Sequence, residues 1–492
     1  MQYAALIFAM ALVILAGSWS YWGIAWADGD KIPITIAFDD NSNFTEHGTY
    51  SVTPQEAAKG ETVTITLTPD EGYVFLELQV RAEMQKSNDV VELFFSNVDF
   101  NGNTVTFTVP DDESITSIAI TVITATIEQG LAGGTLESPI ELTGNETAPL
   151  SGGYYVVNKD ITFTQTVRLA GNVKLILSEG ATMSVNITQS NTYGIDGCND
   201  LGSLTVSGEG SLIVGSSLGR AISDIASYTQ TGGTVTLSAK NFALYTTSGN
   251  SDSFVTISGG TITATGTTSS GISTNNLTIS GGTVNATGLY YGLFAENALA
   301  ISGGIVTAAA TNKTQYDCDI QCNGESNNAL TITGGQITAN TKGIATAEGY
   351  PINIGFTDSD SFIIAAMYKK NRETDTLTVI DGCTLTDGTN EYSGEISDTS
   401  GLAGKTLRAK TYAVTLSGTG ITADKTRAVP GETVTLSAPA GYTGVFKVND
   451  VAIDGNTFIM PENDVEVTGT LTLTTYTISC ELDGGTATGN PA

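Results

Sequence analysis

Five side chains in the middle of this chain have the types and the spacing to hold a sugar: Tyr245, Tyr290, Phe294, Asp317 and Asp319. Aromatic rings pack on the apolar faces of sugar rings, while carboxylates accept hydroxyl hydrogen bonds or hold a bridging cation. Such a set binds rather than cuts. Catalysis on a glycan needs a carboxylate pair for acid and base work, or acids around a metal together with a basic proton acceptor. Between Thr256 and Leu299 the only charged residue is Glu296, and no arginine falls between Val255 and Ala339. No catalytic residue is nominated on these grounds, and a polysaccharide lyase or hydrolase stands as the alternative.

The five converge only if the chain winds into coils, and its repeats predict that it does. Val255–Ala264, Leu277–Ala286, Leu299–Ala308 and Leu330–Ala339 are four copies of one pattern, two four-residue strands around a Gly-Gly corner with apolar residues at every second position. Alternate positions share one face of a strand. Val255, Ile257, Ile262 and Ala264 therefore face inward, with counterparts above and below in the other copies. Gly259, Gly281 and Gly303 open successive corners 22 residues apart, a step within the range of solenoid repeats. Two strands fill only half of that step, so a third must return the chain. A small-then-apolar pair after each corner marks it: Ala243-Leu244, Gly271-Ile272, Gly292-Leu293, Asp319-Ile320 and Gly343-Ile344. Three strands per coil, all turning one way, predict a right-handed parallel β-helix. Asn275, Asn297 and Asn328 each stand two residues before a strand-opening Leu, where stacked amides would form a ladder.

Aligned on Leu244, Ile272, Leu293, Ile320 and Ile344, the third strands offer a floor of Ala243, Gly271, Gly292, Asp319 and Gly343. One wall carries Tyr290 and Asp317, the other Tyr245 and Phe294. The expected site is an aromatic and acidic trough.

Composition excludes several classes of partner. With 40% hydrophobic and 14% charged residues the chain is too apolar to be disordered. A net charge of −31, with only 20 basic residues, opposes binding to a nucleic-acid backbone and suits a soluble exported protein. Met1 to Ala27 carry no charged side chain, run apolar from Ala4 to Ala16 and end in Ala25-Trp-Ala27, the pattern of a signal peptide and short for a membrane span. Membrane contact is expected only through that segment or an anchor missing from the sequence, and the expected location is secreted or at the cell surface.

The cysteines, Cys198, Cys318, Cys322, Cys383 and Cys480, are too sparse for a disulfide framework. Cys318 and Cys322 share inward parity with Ile320, and four extended residues hold them about 13 Å apart, beyond disulfide reach. A single histidine, His47, argues against zinc. No cofactor is expected; calcium is the one ion these acids would admit. Asp196-Gly-Cys-Asn-Asp200 and Asp358-Ser-Asp360 are acidic loops short of a full calcium ligand set.

On either side of the coils one motif occurs twice. Gly60–Tyr73 matches Gly431–Tyr442, and Asn103–Pro110 matches Asn456–Pro461, each a short alternating strand bounded by turn formers. The predicted organisation is a signal peptide at 1–27, a β-repeat domain at 28–126, a linker at 127–149, the β-helix at 150–405 with a solvated insertion at Lys369–Arg372, a second β-repeat domain at 411–474, and at 475–492 the truncated start of a further β-repeat, beyond which the natural chain continues. The paired motifs resemble the divergent internalin-type β-repeats of bacterial surface proteins. The coils resemble pectate-lyase-like β-helices and their carbohydrate-binding relatives in exported bacterial proteins. Together these resemblances imply an all-β chain, a right-handed parallel β-helix flanked by small antiparallel β-repeat domains. They also imply a non-catalytic cell-surface protein of binding or adhesion, whose β-helix contacts polysaccharide or a host surface glycan. A structural stalk is the second alternative.

Overall fold

The computed structural model describes residues 31–474 except 40–41, 87–89, 94–98, 102–103, 110–114, 190–191, 199–201, 247–250, 313–316, 367, 371–372 and 375. The expected signal peptide, Asp200, Arg372, Cys480 and the 475–492 segment lie outside the described residues. The chain divides into two compact units, one of residues up to 126 without 71–77, the other of 71–77 and everything from 127 onward.

In the first unit, alternation sets the sheet. Val63, Ile65 and Leu67 point inward and are fully buried, while the threonines between them face outward. Their strand, Thr62–Pro69, lies antiparallel between Gly48–Thr53 and Thr104–Thr108. In a second sheet Ile32–Phe38 runs parallel to Ile118–Val122.

The second unit is built on a 29-stranded sheet wound into a parallel solenoid with three faces. On the first face Tyr228, Val255, Leu277, Leu299, Leu330, Ile352 and Leu377 stack in register. The second carries Met183, Leu212, Val235, Ile262, Val284, Val306, Ile337 and Ile363. On the third lie Ile195, Ile222, Leu244, Ile272, Leu293, Ile320, Ile344 and Tyr368. All of these side chains are buried in one continuous core. Burying each contributes about 1.5–3 kcal/mol, so stability accumulates rung by rung.

The corner needs both of its glycines, for different reasons. A Cβ on Gly281 would lie 2.4 Å from the Ser258 carbonyl oxygen, so the first position is fixed by close approach of the rung before it. Gly282 has φ +76°, the left-handed region that other residues adopt at a cost. The amide ladder expected of the asparagines does not form. Thr274 pairs with Ala295 and Asn276 with Ala298, so one residue on the earlier rung faces two on the later. That bulge buries Asn275, whose Nδ2 donates to Ser253 Oγ at 3.0 Å, and leaves Asn297 exposed, donating to the Ser251 carbonyl at 3.2 Å.

The solenoid also begins earlier than the linker suggested by the sequence. Ile140-Glu141 pairs in parallel with Tyr155-Val156, and Leu142 is fully buried in the core. At the other end the run from Lys369 is no insertion: Tyr368, Lys369 and Lys370 continue the third face because Tyr368 supplies its inward apolar residue. Each face then ends on an antiparallel strand. Leu377-Thr378 meets Glu395-Ile396, Phe362–Ile364 meets Thr406–Arg408, and Lys369-Lys370 meets Glu373-Thr374.

Residues from Tyr412 to Leu473 form two small sheets around a separate core that includes Val434, Leu436, Phe446, Met460 and Val467. Val429, however, belongs to the core of the solenoid, and Glu432 accepts a hydrogen bond from Ser359 Oγ at 3.2 Å. Among the described residues Cys198, Cys318, Cys322 and Cys383 form no disulfide. Cys322 donates to the Ala329 carbonyl at 3.3 Å, and burial pushes its thiol up to about 11, so it packs as an inert small hydrophobe. Among the described residues no helix is long and apolar enough to cross a membrane.

Candidate functional site

Tyr245, Ser273, Phe294, Gln321 and Ala345 lie one above another on the third face, as their register predicts, but Ser273, Gln321 and Ala345 are buried and only Tyr245 and Phe294 are partly exposed. Tyr245 meets Phe242 with ring centroids 4.8 Å apart, and Phe294 meets Tyr291 at 5.0 Å. Rungs are spaced at about 4.8 Å, so Tyr245 and Phe294 stand about 10 Å apart with the small Ser273 between them. Tyr290, just before the strand, is 42% exposed.

The floor and its acids are different. Ala243 and Asp319 are fully buried, and Asp317 nearly so. Parity along a strand puts the residue before an inward Ile on the outside, but here the chain has only just turned from the second face and lies against its own backbone. A Cβ on Gly292 would sit 2.6 Å from the Ala309 nitrogen and 2.7 Å from the Ala286 oxygen. The floor is a packing seam. Asp319 lies in that seam, where its Oδ1 accepts the Ala310 amide at 2.8 Å and its Oδ2 accepts those of Thr341, Lys342 and Gly343 at 2.8, 2.7 and 2.9 Å. It is an internal anchor for backbone, not a surface ligand. The acidic half of the expected trough is thus absent from the surface. Among the described residues no group of three or more His, Cys, Asp or Glu is arranged to hold a metal. Asp358 is committed likewise, to the amides of Asp360 and Ser361 and the Ser361 hydroxyl.

Toward the first coils the same face carries a cluster that the repeats did not disclose. Arg168, Asp196 and Ser223 stack in register, followed by Asp224 at φ +53°. Arg220 Nη1 donates to Ser223 Oγ and to Asp224 Oδ1, both at 3.0 Å. Its guanidinium lies over the rings of Tyr245, Phe242 and Tyr193 at 4.2, 5.3 and 5.5 Å. Tyr245 is therefore covered on one face by a cation, a contact worth about 0.5–2 kcal/mol. Burial pushes the Asp196 carboxyl up to about 6 against the hydrogen bond from the Cys198 amide; the charge of Asp224 adds to the rise and Arg168 opposes it. Gly194-Ile195 and Ala221-Ile222 carry the same small-then-apolar signal as the later strands, the one mark in the sequence by which these rungs could have been found.

Residues 41–126 match the family model of the divergent InlB B-repeat domain, and residues 255–276 and 277–298 match that of the beta helix repeat. No curated protein gives a significant match, and neither does any solved structure. The chain thus joins a domain type of surface proteins to a parallel solenoid flanked by small antiparallel sheets.

Proposed function

We propose that this protein acts outside the cell as a non-catalytic binder of polysaccharide, free or on a host surface, along the outer side of the third face. The observation that supports this reading is the pairing of two aromatic clusters, Phe242/Tyr245 and Tyr291/Phe294, in one register column two rungs apart. The separation of about 10 Å is a length that two linked sugar rings span, and the buried Ser273 puts no bulky side chain between the platforms. Exposed Tyr290 extends the second platform. Asp317 and Asp319 take no part, because both are buried. Tyr245 contributes its edge, its face being held by Arg220.

The test is affinity electrophoresis of the full chain through gels containing soluble neutral polysaccharides, with reducing-end and unsaturated-product assays on the same mixtures. Retention without products is expected, lost in Tyr290→Ala/Phe294→Ala with melting preserved. Undiminished retention of that double variant would remove the face from consideration. New reducing ends or unsaturated products would make the protein an enzyme.

A further inference from the structure

We infer that two copies of this chain pair through the outer side of the second face, antiparallel about a two-fold axis that runs along the strand Thr261–Gly266. On this face the strands from Thr182–Ile187 to Thr283–Gly288, and residues 305–310 after them, follow one another without a bulge. Their outward residues form three columns, which pass through Thr261, Thr263 and Thr265, and two of the columns go on to Gln336 and Thr338. Unlike those of the third face, none of these outward residues is buried. None is charged either, in a chain that carries 51 acidic residues. Threonine and serine predominate, and the two large apolar members, Ile213 and Ile305, are 40% and 49% exposed.

The face matches itself. Its pattern repeats at about 4.8 Å from rung to rung and about 6.6 Å along each strand, and a surface with the same two repeats is a second copy of the face. Identical small side chains interdigitate between paired sheets, and a hydroxyl both donates and accepts, so like can meet like across a two-fold interface. Ile213 lies two rungs before Thr261–Gly266 and Ile305 two rungs after it, in adjacent columns. The two-fold turn therefore sets Ile213 of one copy beside Ile305 of the other, and does so twice. Over the five central rungs the flanking charges are Glu209 and Lys240, which the turn lays against Gly303-Gly304 and Leu289. Two chains of charge −31 repel, and a charge-free face is where they can approach most closely. Seven rungs by three columns cover about 30 by 20 Å, about 1,200 Å² counted over both copies, the lower end of what a specific interface buries.

The experiment is sedimentation equilibrium of the full chain from micromolar to sub-millimolar concentration, at low and raised salt. A reversible dimer is expected, tighter as salt screens the net charge. Thr263→Asp and Thr263→Lys each set a charge against its own copy at the axis and should weaken the dimer about a hundredfold or more. The lysine variant does so although it lowers the net negative charge, which separates the interface from bulk repulsion. Ile213→Asp and Ile305→Lys should each weaken it as well, and together restore it. Within one chain those two positions stand about 19 Å apart, so the rescue arises between copies. Both are exposed, so they decide the matter should the Thr263 variants fail to fold. Thr278→Asp on the first face and Phe294→Ala on the third should leave the dimer unchanged, so this inference and the glycan reading fail separately. A monomer at every concentration and salt, or a dissociation constant unmoved by Thr263→Asp and Ile305→Lys, overturns the inference.

Discussion

Asp319 reaches the next rung and accepts the amide of Gly343 at 2.9 Å with the same oxygen that accepts those of Thr341 and Lys342. Together with the Ala310 amide on the other oxygen, one carboxylate ties the ends of two successive coils. Asp319→Ala would leave four backbone donors without that acceptor, and the expected cost is about 3 kcal/mol or more. Asp319→Asn, which keeps one acceptor and turns an amide NH₂ on the others, should fall between. Urea melts decide it: a parent-like midpoint for Asp319→Ala would mean that the carboxylate does not hold the coils.

The register of the first face makes a paired prediction. Ile279 is fully buried between Ile257 and Ile301, whereas Thr278 is exposed. Ile279→Asp should cost several kcal/mol, about 3 or more, because an unpaired charge enters the core, while Thr278→Asp should stay within about 0.5 kcal/mol. Equal shifts in melting temperature for the two variants would contradict the inward and outward assignment.

Asp196 links stability to pH. Burial pushes its folded carboxyl up to about 6 from the 3.8 of an ordinary aspartate, so the folded state holds the proton more tightly than the unfolded one. The contribution is fully present below about pH 4, is lost as pH rises through 6, and above that the buried charge is a burden on the order of 2–3 kcal/mol. Asp196→Asn keeps an acceptor for the Cys198 amide and removes the charge. It should raise the melting temperature at pH 7.5 and leave it nearly unchanged at pH 4. A uniform shift across that window would mean that Asp196 is not the titrating group.

Glu432 joins the C-terminal module to the solenoid, accepting Ser359 Oγ on one oxygen and the Val429 amide, at 2.9 Å, on the other. Glu432→Ala should weaken that attachment by about 1–2 kcal/mol. Calorimetry should then show the module melting before the solenoid, separately from it. A single unchanged transition would place the attachment elsewhere, on Val429 alone.

What the sequence disclosed follows from where its repeats are regular. Leu277, Ile279, Val284 and Ala286 recur in phase, so the inward columns and the Gly281-Gly282 corner could be placed from spacing alone. Parity failed where the backbone turns, at Gly292 and Asp319, because alternation holds only within an extended run. It also missed the bulge at Asn275, which needs the partner rung to be seen. The Arg220 cluster was hidden for another reason. Its members lie in coils of uneven length, so residues far apart in sequence come together by register and not by a repeated word.

The three antiparallel strands that close the last rung set a boundary on what this chain can join. A stack of near-identical coils is open-ended by nature, since any rung can template another from a neighbouring molecule, as in fibrils. Glu395-Ile396, Thr406–Arg408 and Glu373-Thr374 take up the hydrogen-bonding edges of all three faces with strands running the wrong way to seed a further parallel coil. At that end the parallel stack stops, and the repeat meets no parallel edge on which a coil from a neighbouring molecule could be laid in register.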